Sequence, residues 1–411
     1  MKKVLVMGAS ALALGFGVSV AHAEDPLKLT LSGGAQEAFG YVGNPDSKNN
    51  GAPGKIWQFG DGSIDFDAKT KLDNGITVEF NAALNISGNN DGGAARGSVP
   101  TTVNSSTGYA PKDLPSSEND WIAFSGSFGK LEIGDDFNAA FQAHNDAPYF
   151  GMVGGYNWGR NSGYIAGPVL GNVAGGTVGS QIGNIQNVMF DDYEASKVVY
   201  TTPSFAGFGA SVSFTPSANS ADACCGAQPK AATGGGGSDE AAALFYKGDF
   251  GDAKVAADVG YVLEQAGGAR GVDVGVSVGF KGFTVGGALE NRGIEGSSTA
   301  AKKVGDTVGN TWDVGIGYET GPWGITIGYM DASAYGGNGL AGGSMTGGGG
   351  AANFLNGDIK WREVPVTAKY NLGPGITLNT EIGYAKWTTP DSHAADQIDG
   401  IYALLGTTVS F

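Results

Sequence analysis

The amino-acid sequence predicts an all-β fold, a closed antiparallel transmembrane barrel of 16 strands. Three features predict it. Apolar and polar residues alternate in many short segments, the connections between these segments are alternately short and long, and aromatic residues cluster at the segment ends. Alternation with a period of two places one kind of residue on each face of a strand. An even number of strands with a lipid-facing apolar side and a polar interior is the bacterial barrel pattern.

The segment Val272–Phe280 shows the alternation most clearly. Val or Phe takes every even position, and Asp, Gly or Ser takes every odd one. Lys281-Gly282 then predicts a tight turn, and Phe283–Leu289 returns with the same alternation. Two such runs joined by a very short connection containing Gly are typical of a β-hairpin.

The same hairpin unit recurs along the chain. Six more short turns fall at residues 72–75, 127–129, 203–207, 251–252, 320–322 and 371–374. The seven hairpins contribute 14 strands, and the opening segment Leu27–Leu31 and the closing segment Ile401–Phe411 complete the 16. The chain therefore begins and ends at the same rim of the predicted barrel.

The connections at the opposite rim are long and polar. They span approximately residues 44–54, 88–118, 135–195, 216–239, 293–308, 332–355 and 388–396. Aromatic residues on the apolar face form two groups, one beside the short turns and one toward the long loops. Short periplasmic turns, long external loops and two aromatic girdles are typical of outer-membrane barrels.

The N-terminus predicts export. Lys2 and Lys3 precede an apolar run, and Ala21-His22-Ala23 matches a cleavage site, so residues 1–23 are interpreted as a signal peptide. The mature domain would then be residues 24–411, a transmembrane barrel beginning at Glu24. It carries 22 basic and 40 acidic residues, a net charge of −18. This acidic balance argues against a nucleic-acid partner, which requires a basic surface.

Few residues offer catalytic or metal-binding chemistry. Only His144 and His393 follow the signal peptide, and both lie in predicted loops, with no nucleophile and orienting acid in a readable pattern. The sequence therefore predicts no enzyme. Cys224 and Cys225 are adjacent and cannot close an unstrained fold-stapling disulfide. No cofactor is expected. The Asn and Asp side chains at residues 89–91 could supply oxygen ligands for a weakly bound Ca²⁺.

The long connection 135–195 differs from the other loops. Its first part is rich in aromatic residues and includes Asp135, Asp136 and Asp146. Aromatic side chains would be buried if this loop folded into the barrel, against the polar inner wall. A barrel of 16 strands leaves an aqueous channel, which an inward-folded loop would narrow.

The chain resembles the general-diffusion porins of Gram-negative bacteria, most closely the alphaproteobacterial outer-membrane porins. The resemblance rests on the signal peptide, residues 72–77 (LDNGIT), residues 128–134 (FGKLEIG) before the third long loop, and the terminal Val409-Ser410-Phe411. It implies homotrimers surrounded by outer-membrane lipid and lipopolysaccharide. It also implies a third loop inside the lumen, and recognition of Phe411 by the barrel-assembly machinery.

The resemblance further implies acidic loop residues facing basic wall residues across the pore. In this sequence the acidic side would be Asp135, Asp136 and Asp146. The basic side would be Lys28, Lys69 and Lys369, which alternation places on the inner face. An alternative is that the three carboxylates hydrogen-bond the loop backbone and hold the loop in place.

The predicted function is passive diffusion of small hydrophilic solutes and ions, with a mild preference for cations. Because the third loop is rich in aromatic residues, a sugar-preferring channel is the alternative. The predicted subunit contact comprises the first five strands and the last, since Gly33, Ala35, Ala68, Thr70 and Ala82 present small outward side chains.

Overall fold

A computed structural model describes residues 27–43, 56–85, 116–151, 195–216, 238–264, 269–294, 307–335, 358–388 and 397–411. The described residues form 16 strands and one short helix. The signal peptide, Asn89 to Asp91, Cys224, Cys225 and His393 lie outside the described residues. Among the described residues, no helix has both the length and the apolar character needed to cross a membrane.

The strands and the helix follow one another along the chain with these bounds: β1 Lys28–Gly43, β2 Ile56–Lys71, β3 Thr77–Asn85, β4 Ser116–Gly126, β5 Gly129–Asp135, α1 Ala139–Ala143, β6 Ser196–Thr201, β7 Phe208–Thr215, β8 Asp239–Phe250, β9 Ala253–Glu264, β10 Ala269–Phe280, β11 Phe283–Ile294, β12 Thr307–Thr320, β13 Trp323–Tyr335, β14 Asp358–Gly373, β15 Ile376–Thr388 and β16 Gln397–Ser410.

Each strand pairs antiparallel with its sequence neighbours, and β1 pairs with β16 to close the barrel. The closing register joins Gly34 to Ser410 and Gly43 to Ile401. The backbone of Phe411 adds two hydrogen bonds to Gly33, with N–O distances of 3.0 and 3.1 Å. The predicted closed 16-stranded barrel is therefore confirmed, because every strand of the described residues has a paired neighbour on each side.

The two faces of the wall differ as the alternation predicts. Val272, Val274, Val276 and Val278 are 39–47% exposed on the outer face. The intervening Asp273 is fully buried on the inner face. Apolar exposure on the outside is the arrangement that suits contact with lipid hydrocarbon.

The turns explain how the hairpins stay tight. Lys281 and Gly282 connect β10 to β11 with φ values of 48° and 87°. Two consecutive positive φ values define the turn whose twist matches that of paired strands, and Gly adopts such a value without steric cost. The predicted two-residue turn at Lys281-Gly282 is confirmed.

Aromatic side chains ring the outer face near the short turns. Phe208, Phe283 and Trp323 are 50–63% exposed there. Cross-strand neighbours support them: the ring centroids of Phe283 and Tyr318 lie 4.4 Å apart, and those of Trp323 and Tyr370 lie 4.3 Å apart. Rings held at this level suit a membrane–water interface.

The candidate pore constriction

The first part of the third long loop, residues 136–151, lies along the inner face of the barrel; we call it the inner loop segment. It begins after β5 and makes hydrogen bonds to β7, β9, β10, β12, β14 and β15. These strands carry their apolar side chains outward, so the polar side chains that meet the segment point inward. Residues 152–194 of the loop lie outside the described residues.

The root of the segment contains two of the predicted site residues. Asp135 ends β5, is buried, and accepts a hydrogen bond from the Ser196 hydroxyl. Asp136 accepts from the Phe137 backbone N–H at 2.7 Å and from the Gln142 amide at 3.3 Å. Burial and the neighbouring Glu132 carboxylate raise the pKa of Asp136 to about 7. The contacts of both residues support an anchoring role.

Helix α1 packs on the wall through small apolar side chains. Ala139 and Ala140 form a buried cluster with Val199, Ala241 and Val262. The helix is capped by Asn138, whose side chain accepts hydrogen bonds from the N–H groups of Ala140 and Phe141. An Asn N-cap satisfies N–H groups that lack partners within the helix. The Ala139 N–H donates to the Ser213 hydroxyl at 3.0 Å.

His144 joins the segment to acidic residues of the wall. Its Nδ1 lies 2.9 Å from Asp273 Oδ2, its Nε2 lies 3.4 Å from Glu290 Oε1, and its side chain is only 1% exposed. Burial alone lowers the pKa of His144, but the hydrogen bond with Asp273 and the charge of Glu290 outweigh it and raise that pKa to about 10. At neutral pH the imidazole is therefore a buried cation held between two carboxylates.

The neighbouring residues continue this pattern along the wall. The Asn145 amide donates to Asp258 Oδ1 at 2.7 Å, and the Ala147 N–H donates to Asp313 Oδ1 at 2.7 Å. The segment is thus fixed by a series of carboxylates on β9, β10, β11 and β12.

The far end of the segment uses hydroxyl and amide partners. The Phe150 N–H donates to Thr367 Oγ1, and the Asn379 amide donates to the Phe150 carbonyl, each at 3.0 Å. The Tyr149 hydroxyl hydrogen-bonds Glu381, which also accepts from the Tyr402 hydroxyl at 2.8 Å. This end of the segment is therefore bound to β14 and β15.

Lys369 is the basic site residue that meets the segment. Its ammonium lies 4.0 Å from the centroid of the Phe150 ring and forms an ion pair with Glu319. Lys28 and Lys69 face each other directly across β1 and β2. Lys69 is paired with Glu79. The opposition of the acidic and basic groups across the pore stays a prediction.

Asp146 lies beside an open cavity at the inner wall. The cavity has a volume of about 480 Å³ and is lined by His144, Asn145, Asp146, Ala147, Pro148, Tyr149, Gly151 and Ser277. The Asp146 charge acts on both His144 and Asp313. Among the three acidic residues predicted for the constriction, Asp146 is the one that lines this cavity.

A row of glycines lets the segment lie close to the wall. A Cβ atom at Gly275 would lie 2.1 Å from the Asn145 carbonyl oxygen, and one at Gly286 would lie 2.9 Å from the Asp146 carbonyl oxygen. At Gly315 the nearest segment atom, Ala147 Cβ, would be 3.1 Å away. These close approaches require the absence of a side chain.

Sequence reasoning missed part of this site. Alternation along the strands places Asp258, Asp273, Asp313 and Glu381 on the inner face. Glu290 and Glu363 were not singled out from the sequence. Both are 2% exposed on that face. The signal was present, because each occupies the polar phase of an alternating strand.

A family model described as "Gram-negative porin" matches residues 8–389. The chain belongs to the Gram-negative porin family. This porin is therefore an outer-membrane, multi-pass β-barrel channel protein, and its family and fold are those of channels rather than enzymes. No curated protein matched the chain.

Solved porin structures share the fold of this porin. An anion-selective porin from Comamonas acidovorans aligns with a TM-score of 0.55 at 14% identity, covering 94% of this chain and 100% of the other. OmpF of Salmonella typhi, in complex with daunomycin, aligns with a TM-score of 0.55 at 15% identity, covering 95% and 100%. The trimer form of OmpT of Vibrio cholerae aligns with a TM-score of 0.54 at 12% identity, covering 94% and 100%.

Proposed function

We propose that this porin is a general diffusion channel for small hydrophilic solutes and ions, with a mild preference for cations. The observation that carries the proposal is the path of the inner loop segment. It follows the polar inner wall from β7 to β15 and is held there by charged and polar side chains. A segment bound along the wall narrows the channel and leaves space beside it.

The cation preference rests on the distribution of charge. Asp258, Asp273, Glu290 and Asp313 line the wall beneath the segment, and Asp146 lies beside the cavity. The basic groups Lys28 and Lys69 lie on β1 and β2, and Lys69 is neutralised by Glu79. Because charge is screened beyond about 8 Å at physiological ionic strength, groups nearest the narrowest point dominate selectivity.

The sugar-preferring alternative has less support. Such a channel would offer aromatic faces to solutes, but Phe150 is covered by Lys369 and Tyr149 is bound to Glu381. Phe137 and Phe141 stack on each other with centroids 4.5 Å apart. Maltose and other neutral sugars should therefore leave the ion current of planar bilayers unblocked.

The assembly proposed is a homotrimer in outer-membrane lipid and lipopolysaccharide. The trimer form of Vibrio cholerae OmpT supports self-association of this fold. We further propose that residues 1–23 are removed on export and that residues 135–195 form the constriction loop. The terminal Phe411, 62% exposed beside the closing strand pair, would be the residue recognised by the barrel-assembly machinery.

Replacing Asp135, Asp136 and Asp146 together by Asn should lower cation selectivity at low salt, because it removes acidic charge from the end of β5 and from the inner loop segment. Reversal potentials in planar bilayers under a KCl gradient measure the change. Asp252→Asn, which removes an exposed carboxylate from the short turn between β8 and β9, is the matched control and should leave the reversal potential unaltered. An unchanged potential in the triple variant would show that these three groups do not set selectivity.

The pKa of Asp136, about 7, predicts a pH dependence. The carboxyl is mostly neutral below about pH 6 and mostly charged above about pH 8, following ordinary titration around its pKa. Cation preference should therefore rise between these values, with a midpoint near pH 7. Asp136→Asn should diminish this rise; a rise of undiminished size in that variant would show that Asp136 does not contribute to it.

A further inference from the structure

Three ionisable side chains meet where the inner loop segment crosses β9 and β10. His144 comes from the segment, Asp258 from β9 and Asp273 from β10. Each offers a ligand atom, and these atoms lie within 4.8 Å of one another. The His144 side chain is 1% exposed, Asp258 is 3% exposed and Asp273 is fully buried. This grouping brings together residues more than 100 positions apart in the sequence.

Each carboxylate in the group uses one oxygen and leaves the other without a partner. Asp273 Oδ2 is bonded to His144, and Asp258 Oδ1 accepts from Asn145. Asp273 Oδ1 and Asp258 Oδ2 are buried and have no hydrogen-bond partner among the described residues. Buried polar atoms are nearly always satisfied by a protein group, water or an ion. Two such oxygen atoms in one cluster indicate a missing ligand.

The charge of the cluster specifies the kind of ligand. The charges that raise the pKa of His144 come from the carboxylates of Asp273, Glu290 and Asp146. Asp258 adds a further acidic group in contact with the segment. Buried charges require a partner of opposite sign, and within the group a single imidazole stands against the two carboxyl groups of Asp258 and Asp273. The ligand that the cluster lacks is therefore positively charged.

We propose that His144, Asp258 and Asp273 bind a divalent transition-metal cation at the junction of the loop and the wall, with Zn²⁺ as its simplest representative. One imidazole and two carboxylates are donors that Zn²⁺ and similar cations accept, whereas Ca²⁺ prefers oxygen alone. His144 also lines the open cavity of about 480 Å³. The cavity therefore borders the proposed site on the side of the inner loop segment, whereas Asp258 and Asp273 lie behind it in the wall.

Such an ion would tie the loop to two strands at once. Two of its ligands belong to the wall and one to the segment, so occupancy would stabilise the seated position of the segment. Binding would also exchange the imidazole proton for the metal, since the ligand form of His is neutral. This role is additional to diffusion and leaves the proposed channel function independent of it.

The test is zinc binding to the whole folded porin in detergent, at pH 7.5, after treatment with a chelator. Cys224→Ser and Cys225→Ser should be present in every variant, and no polyhistidine tag should be used, because thiols and added imidazoles bind zinc themselves. Isothermal titration with ZnCl₂ should give one site per subunit. X-ray absorption on that sample should show N and O ligands at about 2.0–2.2 Å.

Asp258→Asn and Asp273→Asn should each weaken zinc binding at least tenfold or abolish it. Asp67→Asn is the matched control, since Asp67 is an inner-wall carboxylate of β2 that accepts from Ser32 and Asn81. It should bind zinc as the parent does. Heat-modified migration in gels verifies that each barrel is folded.

Three outcomes would overturn the proposal. The first is the absence of saturable zinc binding by the parent, which would leave a proton shared between Asp258 and Asp273 as the way the cluster is satisfied. The second is undiminished binding in both Asn variants. The third is equal competition by Ca²⁺, which would exclude the imidazole as a ligand.

Discussion

Gly275→Leu should lower the single-channel conductance roughly twofold or more, because the added side chain would displace the inner loop segment toward the pore axis. The Cβ atom alone would lie 2.1 Å from the Asn145 carbonyl oxygen and 2.5 Å from Asp258 Oδ1. Backbone cannot yield as a flexible side chain does, so the segment must move. Overpacking of this kind also costs about 1–3 kcal/mol of stability. Conductance in planar bilayers at high salt measures the effect.

Gly279→Leu is the matched control for this substitution. Gly279 lies on the same strand and the same face as Gly275, but a Cβ atom there would meet its nearest neighbours, Lys254 Cβ and Thr284 Oγ1, at 3.8 Å. That distance is ordinary van der Waals contact, and none of the nearest atoms belongs to the segment. Equal conductance in the two Leu variants would contradict the close seating of the segment on the wall.

A graded series strengthens the comparison. A Cβ atom would approach the segment at 2.9 Å at Gly286 and at 3.1 Å at Gly315. The conductance loss should therefore decrease from Gly275→Leu to Gly315→Leu. An effect that did not follow these distances would indicate general damage to the barrel rather than displacement of the segment.

Much of the barrel follows from local sequence. The alternation in Val272–Phe280 fixes which side chains face outward, because a shift of one residue would turn all of them to the wrong face. The turn at Lys281-Gly282 fixes the register of that hairpin, from Phe280 opposite Phe283 to Ala269 opposite Ile294. Alternation and turn residues are patterns of neighbouring residues, so they can be recognised from the sequence alone.

The extent of the first strand could not be read in this way. The sequence predicted a strand over Leu27–Leu31, whereas β1 continues to Gly43. The alternation is lost at Gly33-Gly34, where the strand pairs with β2 on one side and with the C-terminal end of β16 on the other. Pairing with a segment more than 300 residues away, which no local pattern reports, holds this stretch extended.

The contacts of the constriction were also beyond local reasoning. Alternation alone places Asp258, Asp273 and Asp313 on the inner face, and their burial on the inner wall agrees. Their hydrogen bonds with His144, Asn145 and Ala147 depend on the path of the loop across several strands. That path depends on wall glycines that leave room for the loop and on hydrogen bonds between residues 113–166 positions apart in the sequence. Alternation gives the face of a side chain but not its partner.

The proposed subunit contact lies on the outer face near the barrel closure. Ala35 is exposed on β1, opposite Gly62 on β2, and together they form a surface without bulky side chains. Farther along β1, Phe39 and Tyr41 are 64% and 46% exposed, which extends the first strand's outer surface with aromatic rings that the predicted contact did not include. Small residues flanked by large apolar ones permit two walls to pack closely in a membrane.

Ala35→Trp and Ala82→Trp should therefore weaken the homotrimer, because each places a large ring in the proposed subunit contact. Overpacking costs about 1–3 kcal/mol at each site, and a trimer contains every site three times. Gels run after stepwise heating should show dissociation to folded monomers at a lower temperature than for the parent. Separate measurement of barrel unfolding keeps this loss of assembly distinct from a loss of fold.

Val276→Trp provides the comparison that decides the location of the contact. Val276 is 47% exposed on the outer face of β10, among aliphatic neighbours that the proposed trimer leaves in contact with lipid. A ring at that position meets only fluid acyl chains, so the dissociation temperature should match that of the parent. If Val276→Trp destabilises the trimer as much as Ala35→Trp does, the subunit contact does not lie at β1 to β5 and β16.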